Sequence, residues 1–285
     1  MFLCLSGKMP QRHQVIKKHQ EKIMSTITII GGGNLGKAIA EGLISSNFCK
    51  ATEITITRRN LDSLAYLKKK GVKTISDNKA AVKNAKIILL CVKPFQAKEV
   101  LKEISKTLKA EQIIVSSVSG VSIEEIEKHC GKNMVIFRSM PNTAMAISQS
   151  MTCISYSKAN ATQIKEVESL FNALGKTIVI DEKLMDAATI LGACGTAFAM
   201  RYIRANIQAG IEIGFDAKTA RLIAAQTVKG AADLLLQNGS HPEEEIDKVT
   251  TPKGVTITGL NQMEHHGLSS SIIKGITEAF KKING

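Results

Sequence analysis

With 285 residues, 44% of them apolar, the chain is long enough for one large domain or two and has ample material for a core. No apolar run approaches the about 20 residues that a membrane helix needs. Six scattered cysteines with no C-x-x-C pair argue against a disulfide scaffold or a metal centre, leaving a reduced, cytoplasmic protein as the simple expectation. The net charge of +13 is divided between a leader and helix faces, and aromatics make up only 4%, so a base-stacking nucleic-acid platform is excluded.

Residues 1–23 carry five basic side chains and one acidic, and their apolar start is too short for the core of a signal peptide. Met24 stands just before the first strand-like run, so the expectation is a mis-assigned start with initiation at Met24 and a leader outside the fold. A transit peptide is the alternative. From there strands are expected at 26–30, 53–57, 86–92, 112–117, 134–139, 151–156 and 176–180. Helices are expected between the earlier ones, at 34–46, 60–70, 78–84, 95–108 and 122–130. This alternation predicts an α/β fold, a doubly wound parallel sheet with helices on both faces, and ligands bind such sheets at the carboxyl ends of the strands. After Asp181 the strand pattern stops. Helices are expected over 186–210 and 216–237, the second with Asp216 as N-cap and Gly239 beyond its end, and shorter ones follow to 282. The boundary therefore falls near 182, dividing 24–182 from an all-helical 183–285.

Five loops follow the strands, and each carries groups suited to one ligand. Gly31-Gly32-Gly33-Asn34-Leu35-Gly36 places G-x-G-x-x-G between a strand and a helix, where bare backbone N–H groups and a helix start can hold a pyrophosphate. The second strand ends in Thr57-Arg58-Arg59-Asn60. An NAD-specific site would place an acid there to bind ribose hydroxyls; a hydroxyl and two guanidinium groups instead suit the 2′-phosphate of NADPH, leaving NADH the weaker ligand. Lys93-Pro94, Ser117-Val118-Ser119-Gly120 and Met140-Pro141-Asn142-Thr143 end the next three strands. Singly each is ordinary turn chemistry; together they form the walls of a nicotinamide pocket.

Val92-Lys93-Pro94, Arg138-Ser139-Met140-Pro141-Asn142-Thr143 and Val249-Thr250-Thr251-Pro252-Lys253-Gly254-Val255-Thr256, in that order behind the glycine turn, resemble the pyrroline-5-carboxylate reductase family from Met24 to about Phe280. The resemblance implies NAD(P)H-dependent reduction of the cyclic imine 1-pyrroline-5-carboxylate to L-proline, the last step of proline biosynthesis. It also implies a Rossmann-type domain and a helical dimerisation domain that interlocks with a partner subunit, giving a homodimer or a larger assembly of dimers. Cofactor contacts carry over to Gly31, Gly32, Gly33, Asn34, Leu35, Thr57, Asn78, Val92, Lys93, Pro94, Val118 and Ser119. The substrate side carries over to Glu182, Thr189, Val255 and Thr256. The chain departs from the family pattern at Gly192-Ala193-Cys194-Gly195-Thr196-Ala197-Phe198, at Arg204, and at Lys253 and Val255 in the run Pro252–Thr256, which bears on substrate-loop detail and helix packing.

The chemistry fits what is missing. No Ser-His-Asp set or metal cluster is apparent, and an iminium substrate needs positioning more than a strong acid. Backbone N–H groups around Thr251, Gly254 and Thr256 suit a substrate carboxylate, and Thr189 is a candidate partner for the ring nitrogen. His241, before Pro242, belongs at a helix start. Two other readings remain open: another imine or hydroxyacid-type reductase, for which only Arg201 and Tyr202 offer an acid, and a nucleotide-binding relative that has lost turnover. Neither nucleic acid nor membrane is expected as a partner.

Overall fold

The computed structural model describes residues 26–131 and 133–284; the leader, and with it the expected start at Met24, lies outside them. Strands β1 (Ile27–Ile30), β2 (Ile54–Thr57), β3 (Lys73–Ile75), β4 (Ile87–Leu90), β5 (Ile113–Ser116), β6 (Val135–Met140), β7 (Ser150–Ser157) and β8 (Gly175–Val179) form one sheet in the order β3-β2-β1-β4-β5-β6-β7-β8. β1 pairs with β2 on one side and β4 on the other, so the strand order reverses between β1 and β4, and the crevice outside the carboxyl ends lies there.

Period-two alternation places residues of each inner strand on opposite faces. Ile27, Ile29, Ile54, Ile56, Ile87 and Leu89 pack with Ile39 and Leu43 of helix α1 (Asn34–Ser45), while Ile30, Ile88, Leu90 and Ile114 pack on the other face. The short helices α2 (Ala65–Lys69) and α3 (Asn78–Val82) follow, then α4 (Pro94–Ile104) and α5 (Ile123–Cys130). α4 buries Ala97, Leu101 and Ile104 in the second cluster, and α5 buries Ile123 and Ile126. Helix α6 (Ala161–Asn172) brings Val167, Leu170 and Phe171 to the first.

The sheet differs from the expected one in two places. β3 was not anticipated: it has three residues, none fully buried, too short and too polar to show a period. β7 runs antiparallel to β6, with Arg138 opposite Ser155, because the connection 141–149 is a short 3₁₀ turn rather than a crossover helix.

Beyond β8 the described chain is helical. α7 (Met185–Ala188) runs through a π-helical turn, Thr189–Cys194, into α8 (Gly195–Glu212), so the stretch expected as one helix is interrupted. α9 (Ala217–Asn238) starts at Asp216, whose carboxylate accepts from Lys218 and Thr219 N–H, and ends at Gly239 with φ +67°. α10 (Pro242–Lys248), α11 (Val255–His265) and α12 (Leu268–Asn284) complete it. His241 caps α10, its Nδ1 accepting from Glu243 N–H at 3.3 Å.

Candidate active site

A cavity of about 1270 Å³ opens at the carboxyl ends of β1, β2, β4, β5 and β6, and all five strand-end loops contribute to its wall. Its centre is the turn between β1 and α1. Gly31 and Gly32 N–H both donate to Thr57 O, at 3.3 and 2.7 Å, which seats the turn against the end of β2. Gly31 has φ +106°, and a Cβ there would lie 2.5 Å from Cys91 O; one on Gly36 would lie 2.2 Å from Gly31 O. These glycines are needed for close backbone approach. Gly33 is different: a Cβ there would meet nothing within 4 Å. Its bare side faces the cavity, at the N-cap of a helix with no side-chain cap and no acid in its first turn. The first amides of α1 are thus left for an anion, to which the helix dipole adds. α4 also begins at the cavity without an acid, with Lys93 as N-cap and Pro94 in its first turn.

At the end of β2, Arg58 and Arg59 both line the cavity. Arg58 is half-buried, and its Nη1 donates to Gly32 O at 2.7 Å, so one guanidinium braces the glycine turn; Arg59 is exposed. Thr57 Oγ1 donates to Asn78 Oδ1 at 2.7 Å, and Asn78 Nδ2 donates to Glu103 Oε2 at 2.9 Å. Asn34, Leu35, Val92 and Ser119 also line the wall. Gly36, Val118, Gly120 and Asn142 do not. Gly36 packs under the turn, Val118 is buried in the second core cluster, and Asn142 caps the 3₁₀ turn at Thr143 while its Nδ2 donates to Gly192 O.

Sequence reasoning missed several wall residues. The acid absent from the end of β2 is matched by two from elsewhere, Glu99 and Glu103, one turn apart on α4. Their i, i+4 spacing was legible, but their approach to a loop more than 40 positions away was not. Cys91 also lines the cavity, its thiol pushed up to about 12 by burial against an opposing hydrogen bond with Ser117.

The residues assigned to the substrate lie apart from this cavity. Glu182 Oε1 accepts from Ile123 N–H at 2.7 Å and lies 3.3 Å from Arg138 Nη1. Thr189 is buried, and its hydroxyl donates to Met185 O at 2.9 Å. Thr251, Gly254, Val255 and Thr256 lead into α11, Val255 being 90% exposed. Like α1, α11 has a glycine N-cap, no side-chain cap and no acid in its first turn. Among the described residues no group of three His, Cys, Asp or Glu could hold a metal ion.

The switch-point cavity, with its uncapped helix start and paired guanidinium groups, defines a dinucleotide-dependent oxidoreductase of Rossmann type. Residues 182–285 match the family model described as pyrroline-5-carboxylate reductase dimerisation, and residues 26–120 match that of NADP oxidoreductase coenzyme F420-dependent. The chain belongs to the pyrroline-5-carboxylate reductase family. It is 47% identical to pyrroline-5-carboxylate reductase 1 of Dictyostelium discoideum over 90% of this chain, spanning 49% of that protein. To pyrroline-5-carboxylate reductase 2 of the same organism it is 44% identical, covering 90% of this chain and 91% of the relative. A solved pyrroline-5-carboxylate reductase from Coxiella burnetii superposes with a TM-score of 0.84 at 32% identity, over 92% of this chain and 98% of that one. A Plasmodium falciparum pyrroline carboxylate reductase with NADP bound gives 0.83 at 25% identity, over 91% and 97%.

Proposed function

We propose that this chain reduces 1-pyrroline-5-carboxylate to L-proline with NADPH, as its relatives' names suggest. The observation that carries the reading is the start of α1: an uncapped helix, an open Gly33 and Arg58 and Arg59 beside it form a cradle for a dinucleotide carrying a 2′-phosphate. The pyrophosphate belongs on Gly31–Gly33 and the first turn of α1, the 2′-phosphate on Arg58, Arg59 and Asn78 beside Thr57, and the nicotinamide against Val92, Lys93, Pro94 and Ser119. When bound, reduced nicotinamide supplies the hydride. The chain's own task is orientation. The Thr189 hydroxyl proton is committed to Met185 O, which leaves the oxygen's lone pairs to accept from a protonated ring nitrogen. The uncapped amides at the start of α11, with the Thr256 hydroxyl, suit the substrate carboxylate.

In a single chain that loop stands away from the nucleotide cavity. α8 buries none of its residues, and α9 buries only Ala220 and Ala224. We therefore read 24–182 as the cofactor unit and 183–285 as a substrate and dimerisation unit, with the 251–256 loop completing a partner's site. Its five described cysteines are all unpaired, which fits a reducing cytoplasm. The purified full-length chain, mixed with NADPH and pyrroline-5-carboxylate, should oxidise the cofactor and form proline stoichiometrically. Absence of proline with either NADPH or NADH overturns the reading.

A further inference from the structure

We propose that Glu103 is a positioning residue that restrains the preference for the phosphorylated dinucleotide, by committing the Thr57 hydroxyl proton to Asn78. The proposal rests on the reading that this cavity takes NADPH.

Thr57, Asn78 and Glu103 come from the end of β2, the start of α3 and the last turn of α4, and all three line the cavity beside Arg58 and Arg59. They form one directed chain: Thr57 Oγ1 donates to Asn78 Oδ1 at 2.7 Å, and Asn78 Nδ2 donates to Glu103 Oε2 at 2.9 Å. Its direction is set at the Glu103 end. A carboxylate only accepts, so the amide must turn its nitrogen toward Glu103 and its oxygen toward Thr57. Facing an acceptor, Thr57 can only donate, and a hydroxyl has one proton. The one hydroxyl proton at the end of β2 is thereby spent on Asn78. Reversing the amide would let Asn78 Nδ2 donate to Thr57 and free its proton for the phosphate, but would set Oδ1 against the Glu103 carboxylate. The acid thus acts through two intervening side chains, in addition to its own charge in the cavity.

Glutamine at 103 offers both a donor and an acceptor, so either amide orientation is satisfied. In the full-length chain, equilibrium binding of NADPH and of NADH should show Glu103→Gln raising the NADPH-to-NADH affinity ratio about tenfold, a charge-assisted bond gained by one ligand only. Placed in a Thr57→Val background, the same substitution should leave the ratio within about twofold, since there is no proton to release. Glu99→Gln, which removes a charge from the same wall, should move it far less than Glu103→Gln. An unmoved ratio in Glu103→Gln overturns the relay, as does an equal rise with Thr57→Val or with Glu99→Gln, because each would make charge alone sufficient. Failure of the parent chain to bind either dinucleotide would overturn the underlying reading and the relay with it; normal parental binding with an unmoved ratio overturns the relay alone.

Discussion

Arg58 and Arg59 are neighbours in sequence but differ in task. Arg58 braces Gly32 O, so its loss should loosen the turn and weaken both NADPH and NADH. Arg59 is exposed on the cavity wall and makes no such brace. Arg59→Ala should weaken NADPH by about 1.5 kcal/mol, the lower end for hydrogen bonds to charged groups, and leave NADH unchanged. Calorimetric titration with both cofactors checks this, and equal losses from Arg59→Ala would sink the assignment. Thr256 is the counterpart on the substrate side. Thr256→Val keeps the shape and removes the hydroxyl, so the Michaelis constant for the imine should rise about tenfold while NADPH affinity stays the same. Steady-state kinetics that leave that constant unmoved would remove Thr256 from the carboxylate site.

At the scale of elements, one guanidinium joins the sheet to the helices. Arg138 on β6 is buried, with Glu182 at 3.3 Å and Asp186 at 3.7 Å, while the Glu182 carboxylate also accepts from the start of α5. Arg138 Nη2 and Asp186 Oδ1 have no hydrogen-bond partner, so Glu182 carries the pairing. Glu182→Ala leaves a buried cation nearly unpaired and should destabilise the protein by about 3 kcal/mol, seen as a lower midpoint in urea. An unchanged midpoint would show that Asp186 suffices. The start of α9 provides a pH test. Hydrogen bonds from Thr219, chiefly its side chain, hold the Asp216 carboxyl below its ordinary range. A depressed carboxyl stabilises the fold above its unfolded value, and that contribution disappears as pH falls through the folded one. Asp216→Ala should therefore lower the melting temperature at neutral pH and match the parent in strong acid; a constant difference across the range would contradict the cap.

For the whole molecule the question is what covers the helical face. Leu191, Ile213 and Leu222 are 70%, 77% and 70% exposed, and α8 is 18 residues long without one buried side chain. Apolar surface of this extent marks an association face. Sedimentation at micromolar concentration should find dimers or larger species, and Leu222→Asp should shift them toward smaller ones or leave the chain aggregated. A folded monomer as the sole species of the parent chain would refute this.

The doubly wound α/β fold and the loops that wall its cavity were legible from sequence because the patterns that mark them are local. Strand ends, the glycine spacing between β1 and α1 and the Asp216 and His241 caps depend on residues within a few positions of one another. The family motifs around Arg138 and Thr256 were likewise short enough to recognise. What tertiary structure decided depends on residues far apart in the chain. The short, half-exposed β3 forms only because β2 offers it an edge, and β7 reverses because the turn after β6 is too brief for a crossover. The Thr57–Asn78–Glu103 chain spans β2, α3 and α4, and no periodicity reports which carboxylate a folded helix will turn toward a distant loop. The uncapped amides at the starts of α1 and α11 are both set by local sequence, but which of them lines the cavity is a property of packing.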